Sequence, residues 1–461
     1  MLRNKASRAT KRGPKASGVT ASGASQVVRA ARKTTVTVAT ALCLALELAA
    51  CGGTTTTGAT SSHATLVFDN IAPFTGPNAA FGPGLMAGCW TAVGAINNAG
   101  GVLGHKFTCI PTDTRGDPAD AVPAVRLMLA KTKNLVGISG PSSDSAIVLS
   151  PILDEAHVPA FEDTGQALFD HSTDPYFYRL VPADDTTGFA MAAYAFHKGY
   201  RKAAFVFSDD LDAQGNKPSA VAGWERLGGK VVANINLALD QPSYTVEASQ
   251  IARAHPNVII TEMDPQSAST FLRDYQQIAQ LPAIVGSTVT LQAQWLDTVA
   301  KAIGKSNLQR VMAGIRQYTT PSGPAWTAYY TALHAVASKI QGGPGQYNND
   351  PYNEAYYDAF NIMALAMVMA KTTDPSKWNA DITKVTNPNP GAVIVSTYAQ
   401  GLHALKQGKS IRYVGASGAV DLDQYHNSSG VFAAYGYNPA LAQPVRLLAI
   451  LTPGEINAAR K

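Results

Sequence analysis

Two short stretches set hydroxyls, carboxylates and small residues directly behind apolar runs. Ser139-Gly140-Pro141-Ser142-Ser143 follows Leu135–Ile138, and Glu162-Asp163-Thr164-Gly165-Gln166 follows Val158–Phe161. The chemistry this allows is hydrogen bonding to a bound molecule. Small residues leave backbone N–H groups accessible, and Ser142 and Ser143 stand where an N-cap belongs, ahead of an apolar periodic segment. The first turn of such a helix has unpaired N–H groups and favours an anion. Two parallel strands ending side by side open a crevice beyond their carboxyl ends, where open α/β sheets bind ligands. Residues 134–166 therefore predict a cleft for a small polar ligand carrying a carboxylate. The plainer role for Ser142 and Ser143 is an N-cap alone, worth about 0.5–2 kcal/mol. The two roles are compatible.

Other chemistries lack their patterns. There is no Gly-x-Ser-x-Gly elbow and no His-Glu-x-x-His. The nine histidines form no cluster at metal-ligand spacing. Asp154, Glu155 and His157 are close in sequence but belong to a helix end away from the cleft. Gly82, Gly84 and Gly88 have the glycine density of a dinucleotide fingerprint, but the loop from Asp69 to Ala80 separates them from their strand. Gly408-Lys409-Ser410 resembles the end of a phosphate loop, yet His403 occupies the place of its first glycine. The expectation is no enzyme, no cofactor and no metal. Charged residues make up 15% of the 461-residue chain without long like-charge runs in its body, which argues against nucleic-acid binding.

The elements that position the cleft alternate. Leu66–Phe68 reads as a strand and the apolar spacing from Phe81 to Ile96 as a helix stopped by Asn97-Asn98-Ala99-Gly100-Gly101. Lys106–Ile110 is the next strand, and Asp117-Pro118 caps a helix running to Lys131. With the 134–166 stretch this is a βαβαβα run, hence an α/β fold with a doubly wound parallel sheet. The pattern restarts after Tyr178–Asp185. Helices are predicted over 188–198, 217–227, 244–254 and 266–279, and strands over 203–207, 231–237, 257–261 and 283–285. Beyond Gly314 it turns mostly helical, with helices over 325–340 and 352–371 before late strands.

The net charge of +5 is concentrated at the start. Residues 1–50 carry nine of the 37 Lys and Arg and one of the 32 acids, so the remainder has a net charge of −3. A basic region, the apolar stretch Thr34–Ala50 and Cys51 have the layout of a secretory signal. Leu48-Ala49-Ala50-Cys51 resembles a bacterial lipobox, with Cys51 as the lipidated residue, and Gly52–Ser62 reads as a flexible tether. Cys43 leaves with this leader. Cys89, on the inner face of the first helix, and Cys109, in the strand beneath it, are expected to form a disulfide.

Further marks carry a family resemblance. They are Ala95-Ile96-Asn97-Asn98-Ala99-Gly100-Gly101-Val102-Leu103-Gly104-His105-Lys106, Gly140-Pro141-Ser142-Ser143 with Val158-Pro159-Ala160-Phe161, Tyr357-Asp358-Ala359, and Gly418-Ala419-Val420-Asp421-Leu422-Asp423. In this order the chain resembles the bacterial type I solute-binding proteins of ABC importers, in the branch of the leucine/isoleucine/valine-binding protein. The resemblance spans Leu66 to about Leu451 and implies two lobes joined by three crossings, near Val181–Asp184, Tyr318–Thr320 and Val414–Gly418. It divides the chain into a signal peptide (1–50), a tether (51–63), lobe 1 (64–182 and 319–414) and lobe 2 (183–318 and 415–461).

The resemblance also implies the site residues. Ser143, with Ser142 beside it, holds the ligand carboxylate, and the backbone of Thr164 binds the ligand's amino or carboxyl end, next to Gly165. Gln166 replaces a usual Thr. Phe81 and Tyr352 cover the ligand side chain. In lobe 2, Asp212, Glu262, Asp264 and Thr288 stand at positions where aromatic residues and an ammonium-pairing acid are usual. These changes count against a branched-chain amino acid and leave an ammonium, amide or hydroxylated ligand. The implied function is a lipid-anchored extracytoplasmic receptor for an amino acid, amide or related molecule, delivering it to a membrane permease. A ligand-sensing signalling subunit is the alternative, followed by an extracytoplasmic α/β enzyme.

Overall fold

The computed structural model describes residues 63–461 except Pro77, Ala80, Ser429 and Ala442. The leader, Cys43, Cys51 and the tether up to Ser62 lie outside the described residues. In the first segment, strands β1 (Leu66–Ala72), β2 (Phe107–Asp113), β3 (Leu135–Ser142), β4 (Ala160–Asp163) and β5 (Phe177–Tyr178) alternate with helices α1 (Phe81–Asn98), α2 (Pro118–Lys131) and α3 (Ser143–Glu155). The strands form one parallel sheet in the order β2-β1-β3-β4-β5. Its two faces are buried separately. α2 and α3 cover Ile71 and Ile138 on one face with Val125, Leu149 and Leu153. α1 covers the other face, where Phe68, Ile96 and Phe107 join a larger core.

The second segment repeats the plan. α4 (Asp184–His197), β6 (Lys202–Ser208), α5 (Leu211–Arg226), β7 (Lys230–Leu237), α6 (Thr245–Ala254), β8 (Val258–Glu262), α7 (Pro265–Ile278), β9 (Ala283–Gly286), α8 (Ala293–Ile303), α9 (Lys305–Val311) and β10 (Met312–Gln317) follow in turn. The sheet is parallel in the order β10-β9-β8-β6-β7, and two late strands, β14 (Phe432–Tyr437) and then β15 (Val445–Leu451), extend it beyond β10. Both sheets therefore have the same parallel topology, with the first strand flanked by the second and third. This is the arrangement whose strand-order reversal opens a ligand crevice.

The chain then returns to the first lobe with α10 (Gly323–Ala335), the 20-residue α11 (Pro351–Ala370), α12 (Pro375–Trp378), α13 (Ile382–Thr386), β11 (Val393–Val395), α14 (Tyr398–Lys406), β12 (Ile411–Gly415) and β13 (Gly418–Ala419). α11 is buried along nearly its whole length, with the polar Asn353, Glu354, Asp358 and Asn361 buried among its apolar residues. Finally β14 (Phe432–Tyr437) and β15 (Val445–Leu451) add antiparallel to the second sheet, and α15 (Pro453–Arg460) closes the chain.

Three differences from the sequence expectation have physical causes. The third crossing does not lie at Val414–Gly418. Those residues form the β12–β13 hairpin, and Ala416, Val420 and Leu422 pack in the first lobe's core. The Asp358 carboxylate on α11 holds the hairpin, accepting from Tyr413 Oη at 2.7 Å, Ala416 N at 3.1 Å and Ser417 N at 2.7 Å. The chain crosses only after His426, before β14. Second, α4 and α5 start earlier than predicted, because Asp184 and Asp185 occupy the first turn of α4 and Asp210 caps α5 by accepting from Ala213 N at 2.9 Å. Third, α8 and α9 were not foreseen.

The crossings are tied to one another. Arg179 N donates to His426 O at 3.0 Å and Arg179 O accepts from Ser428 N at 3.0 Å, joining first and third. Tyr318 N donates to Val431 O at 2.6 Å, joining second and third. The buried Arg179 side chain pairs with Asp170 at 2.5 Å and reaches the carbonyls of Thr164 at 3.4 Å and Gln166 at 3.3 Å. The expected disulfide is present, linking Cys89 on α1 to Cys109 on β2 across 20 positions.

Replacing both cysteines by alanine is expected to lower stability by about 3 kcal/mol, from the entropy of a loop this long. Arg179→Met keeps the apolar stem but removes the ion-pair partner of Asp170 and a donor to the Thr164 and Gln166 carbonyls. It should lower stability by about 3 kcal/mol, read in both cases from urea unfolding.

Candidate functional site

The two sheets turn their strand carboxyl ends toward one cavity. From lobe 1 come Ser142 at the end of β3, Asp163 at the end of β4, and Phe81, Tyr352 and Asp144 from the helix starts. From lobe 2 come Glu262 at the end of β8, Thr288 after β9, and Asp212 and Asn216 on the first turns of α5. Asp184, on the first crossing into α4, completes the wall. The remaining space is about 40 Å3.

The backbone of β3 brings its end within reach of this space. Gly140 has φ +86°, and a Cβ there would stand 1.9 Å from Ile71 O. Only glycine lets β3 run so close to β1 before turning into α3. The helix begins at once with Ser143, so its unpaired N–H groups face the cleft. Ser142 holds the N-cap position but makes no side-chain cap bond, and its buried Oγ has no protein partner.

Of the eleven residues expected at the site, eight border the cavity: Phe81, Ser142, Ser143, Gly165, Asp212, Glu262, Thr288 and Tyr352. Phe81 packs against Phe74 and Tyr352, and also reaches the second lobe's core. Tyr352 meets Thr288 across the cleft.

Three do not border it. Thr164 is wholly buried; its carbonyl accepts from Arg179 and its hydroxyl lies 3.4 Å from Ser143 Oγ. Gln166 Nε2 donates to Ser143 O at 3.0 Å, which binds the two lobe 1 loops together. Asp264 caps α7, accepting from Gln266 N and Ser267 N at 2.9 Å each, with Ser208 Oγ at 3.2 Å on its other oxygen. These three bonds tie the carboxylate to the helix start and to β6.

The sequence reading missed Asp144, Asp163, Asp184 and Asn216. Asp163 lay inside the motif that was singled out. Asn216 stands four residues after Asp212, one helical turn on the same face, and became legible only once α5 was known to start at Leu211. Its Nδ2 donates to Glu262 Oε2 at 2.7 Å, which turns its Oδ1 away from Glu262 and leaves it without a partner.

Asp184 has the tightest surroundings. A Cβ on Gly165 would fall 1.8 Å from its Oδ1, and one on Gly215 would fall 2.2 Å from its Oδ2. The carboxyl fills the room left by both missing side chains, and its Oδ2 has no protein partner. Gly165 is thus required by Asp184 whether or not its backbone touches a ligand.

Burial dominates the electrostatics. It pushes Asp163 up to about 7 and Asp144 up to about 6. It raises Asp184 and Glu262 well above the usual carboxylate range, with the Asp212 charge adding to both. Burial raises Asp212 as well, against the facing Ser143 hydroxyl. Among the described residues that border the cavity none is Lys, Arg or His, and no group of three or more His, Cys, Asp or Glu among the described residues is placed to hold a metal ion.

Gly165→Ala and Gly215→Ala should each destabilise by about 1–3 kcal/mol, the range for overpacking. Relief of either loss by Asp184→Ala in a double mutant, read by urea unfolding, would show that the carboxyl is the obstacle.

A family model described as "Periplasmic binding protein" matches residues 70–410. An amino acid binding protein of Pseudomonas aeruginosa is 26% identical over 203 residues, 43% of this chain and 54% of the relative. The Leu/Ile/Val-binding protein BraC3 of Rhizobium johnstonii is 35% identical over 106 residues, 23% of this chain and 29% of the relative. The chain thus spans about half or less of the length of these curated relatives. Among solved structures, the leucine-binding protein LivK of Thermotoga maritima superposes with a TM-score of 0.66 at 19% identity, covering 85% of this chain and all of that one. A solute-binding protein of an R. palustris ABC transporter, in complex with benzoate, gives 0.64 at 15%, covering 84% and 96%. With its twin parallel-sheet lobes and the cavity between them, which share the type I fold of the leucine-binding protein, the chain belongs to the periplasmic binding protein family.

Proposed function

We propose that this chain is the extracytoplasmic substrate-binding protein of an ABC importer. It captures a small polar solute between its lobes and presents the closed form to a membrane permease. One observation carries this reading: at the facing strand ends, the buried atoms Ser142 Oγ, Asp184 Oδ2 and Asn216 Oδ1 have no protein partner and their residues border one cavity. Leaving buried polar groups unpaired costs about 1–3 kcal/mol each, and a bound molecule recovers that cost. The three linked crossings provide the axis for hinge closure.

The family is extracytoplasmic, and no described helix is long and apolar enough to cross a membrane. Attachment through a lipidated Cys51 completes the proposal. Cys51→Ala should release the protein from the membrane fraction and abolish labelling by a radioactive fatty acid.

The binding function is tested by thermal unfolding with amino acids, amides, amines and aromatic acids. A true solute at about 100 times its dissociation constant should add ~2.7 kcal/mol of stability. No stabilisation by any compound would overturn the receptor reading.

A further inference from the structure

The cavity's walls are one-sided in charge. Asp144, Asp163, Asp184, Asp212 and Glu262 border it, drawn from both lobes and the first crossing, and no basic residue does. An acidic cluster alone is not a site. Here a second, independent observation accompanies it. Asp184 is 7% exposed, Asn216 4% and Ser142 7%; each borders the cavity and carries a buried oxygen without a protein partner. The Asn216 amide oxygen can only accept a hydrogen bond, and so can the Asp184 carboxyl once ionised. An occupant that donates satisfies both.

A ligand carboxylate fits poorly. The N–H groups at the start of α3 favour an anion, but Asp144 sits in that same first turn and Asp163 and Asp212 flank it. The Ser143 hydroxyl faces Asp212. The acids do not converge at metal-ligand spacing among the described residues, so their separated oxygens suit a ligand with several donors.

Building on the solute-receptor reading, we infer that the solute is a compact organic cation rich in N–H donors and lacking a carboxylate, of the guanidinium or short ammonium class. Its charge would replace the counter-charge that the walls lack.

This has a pH consequence. The groups facing the space are Asp144 on α3, Asp163 on β4, Asp184 on α4, Asp212 on α5, Glu262 on β8 and Tyr352 on α11, with Asp210, Asp350 and Arg179 acting from behind. In the empty protein burial raises these carboxyls, so they hold protons that the unfolded chain would release. The empty fold should lose stability as pH rises from about 4 to 7. A bound cation favours the ionised carboxylates. Binding should release protons and tighten as pH rises through about 6 to 7.

The test is calorimetry on the mature chain at pH 5.5, 7 and 8 with methylguanidinium, methylammonium and 1,3-diaminopropane, against leucine and benzoate. Expected is 1:1 binding of at least one cation, at least tenfold tighter at pH 8 than at 5.5. Asp184→Asn and, should that variant fold poorly, Glu262→Gln should weaken it at least tenfold. Binding of leucine or benzoate with all three cations silent would overturn the charge assignment and leave the receptor reading standing. Silence of all five compounds also overturns the inference, whereas the receptor reading falls only with the wider panel.

Discussion

Arg179 is the interaction on which the rest of the cleft depends. Its backbone joins the first crossing to the third through His426 and Ser428. Its guanidinium pairs with Asp170 and reaches the carbonyls of Thr164 and Gln166. One buried side chain thus fixes the axis between the lobes and the loop that forms the floor of the cavity. A guanidinium suits this place because it stays charged when buried and donates in several fixed directions. Its charge also draws down Asp184, which burial raises well above the usual carboxylate range. For Asp184 that effect is smaller than those of burial and of the neighbouring Asp212. Glu162 beneath the sheet feels the same pull.

Twin topology then decides where the cavity lies. Each lobe places its first strand between the second and third, and each opens a crevice where the order reverses. Because the crossings bring the two crevices face to face, residues far apart in sequence share one small volume. Ser142, Asp184 and Asn216 would each be ordinary in a solvated loop. Enclosed together they are costly, since a buried polar atom without a partner loses the hydrogen bonds that water supplied. The same enclosure turns scattered aspartates into a coupled electrostatic field. A site of this kind stores instability in the empty state and exchanges it for affinity.

Local and tertiary constraints meet at Asp184 and its two glycines. Gly165 ends the loop after β4 and Gly215 lies on α5, in different lobes, yet the carboxyl occupies the space both leave open. The contact packs the first crossing against each lobe at once. It also explains why a glycine that looks like a turn residue in sequence is a packing requirement in the fold.

The alternation of strands and helices, the doubly wound class, the disulfide pair and the two loops at the strand ends were legible in the sequence. Each is written in local periodicity, in caps and in the chemistry of short segments, which neighbouring residues suffice to determine. Ser142 and Ser143 could be named for that reason, whereas Phe81 and Tyr352 were named from the family resemblance. The third crossing could not, because Ala416 and Ser417 look like a linker and are held by Asp358, 58 and 59 positions away. Thr164 and Asp264 were expected at the ligand, but partners distant in sequence, Arg179 and Ser208, or a helix end use their polar groups. The sign of the cavity was decided only by the tertiary structure. Five acids without a base become a single site when two lobes enclose them, and local sequence does not record which charges share the same low-dielectric space.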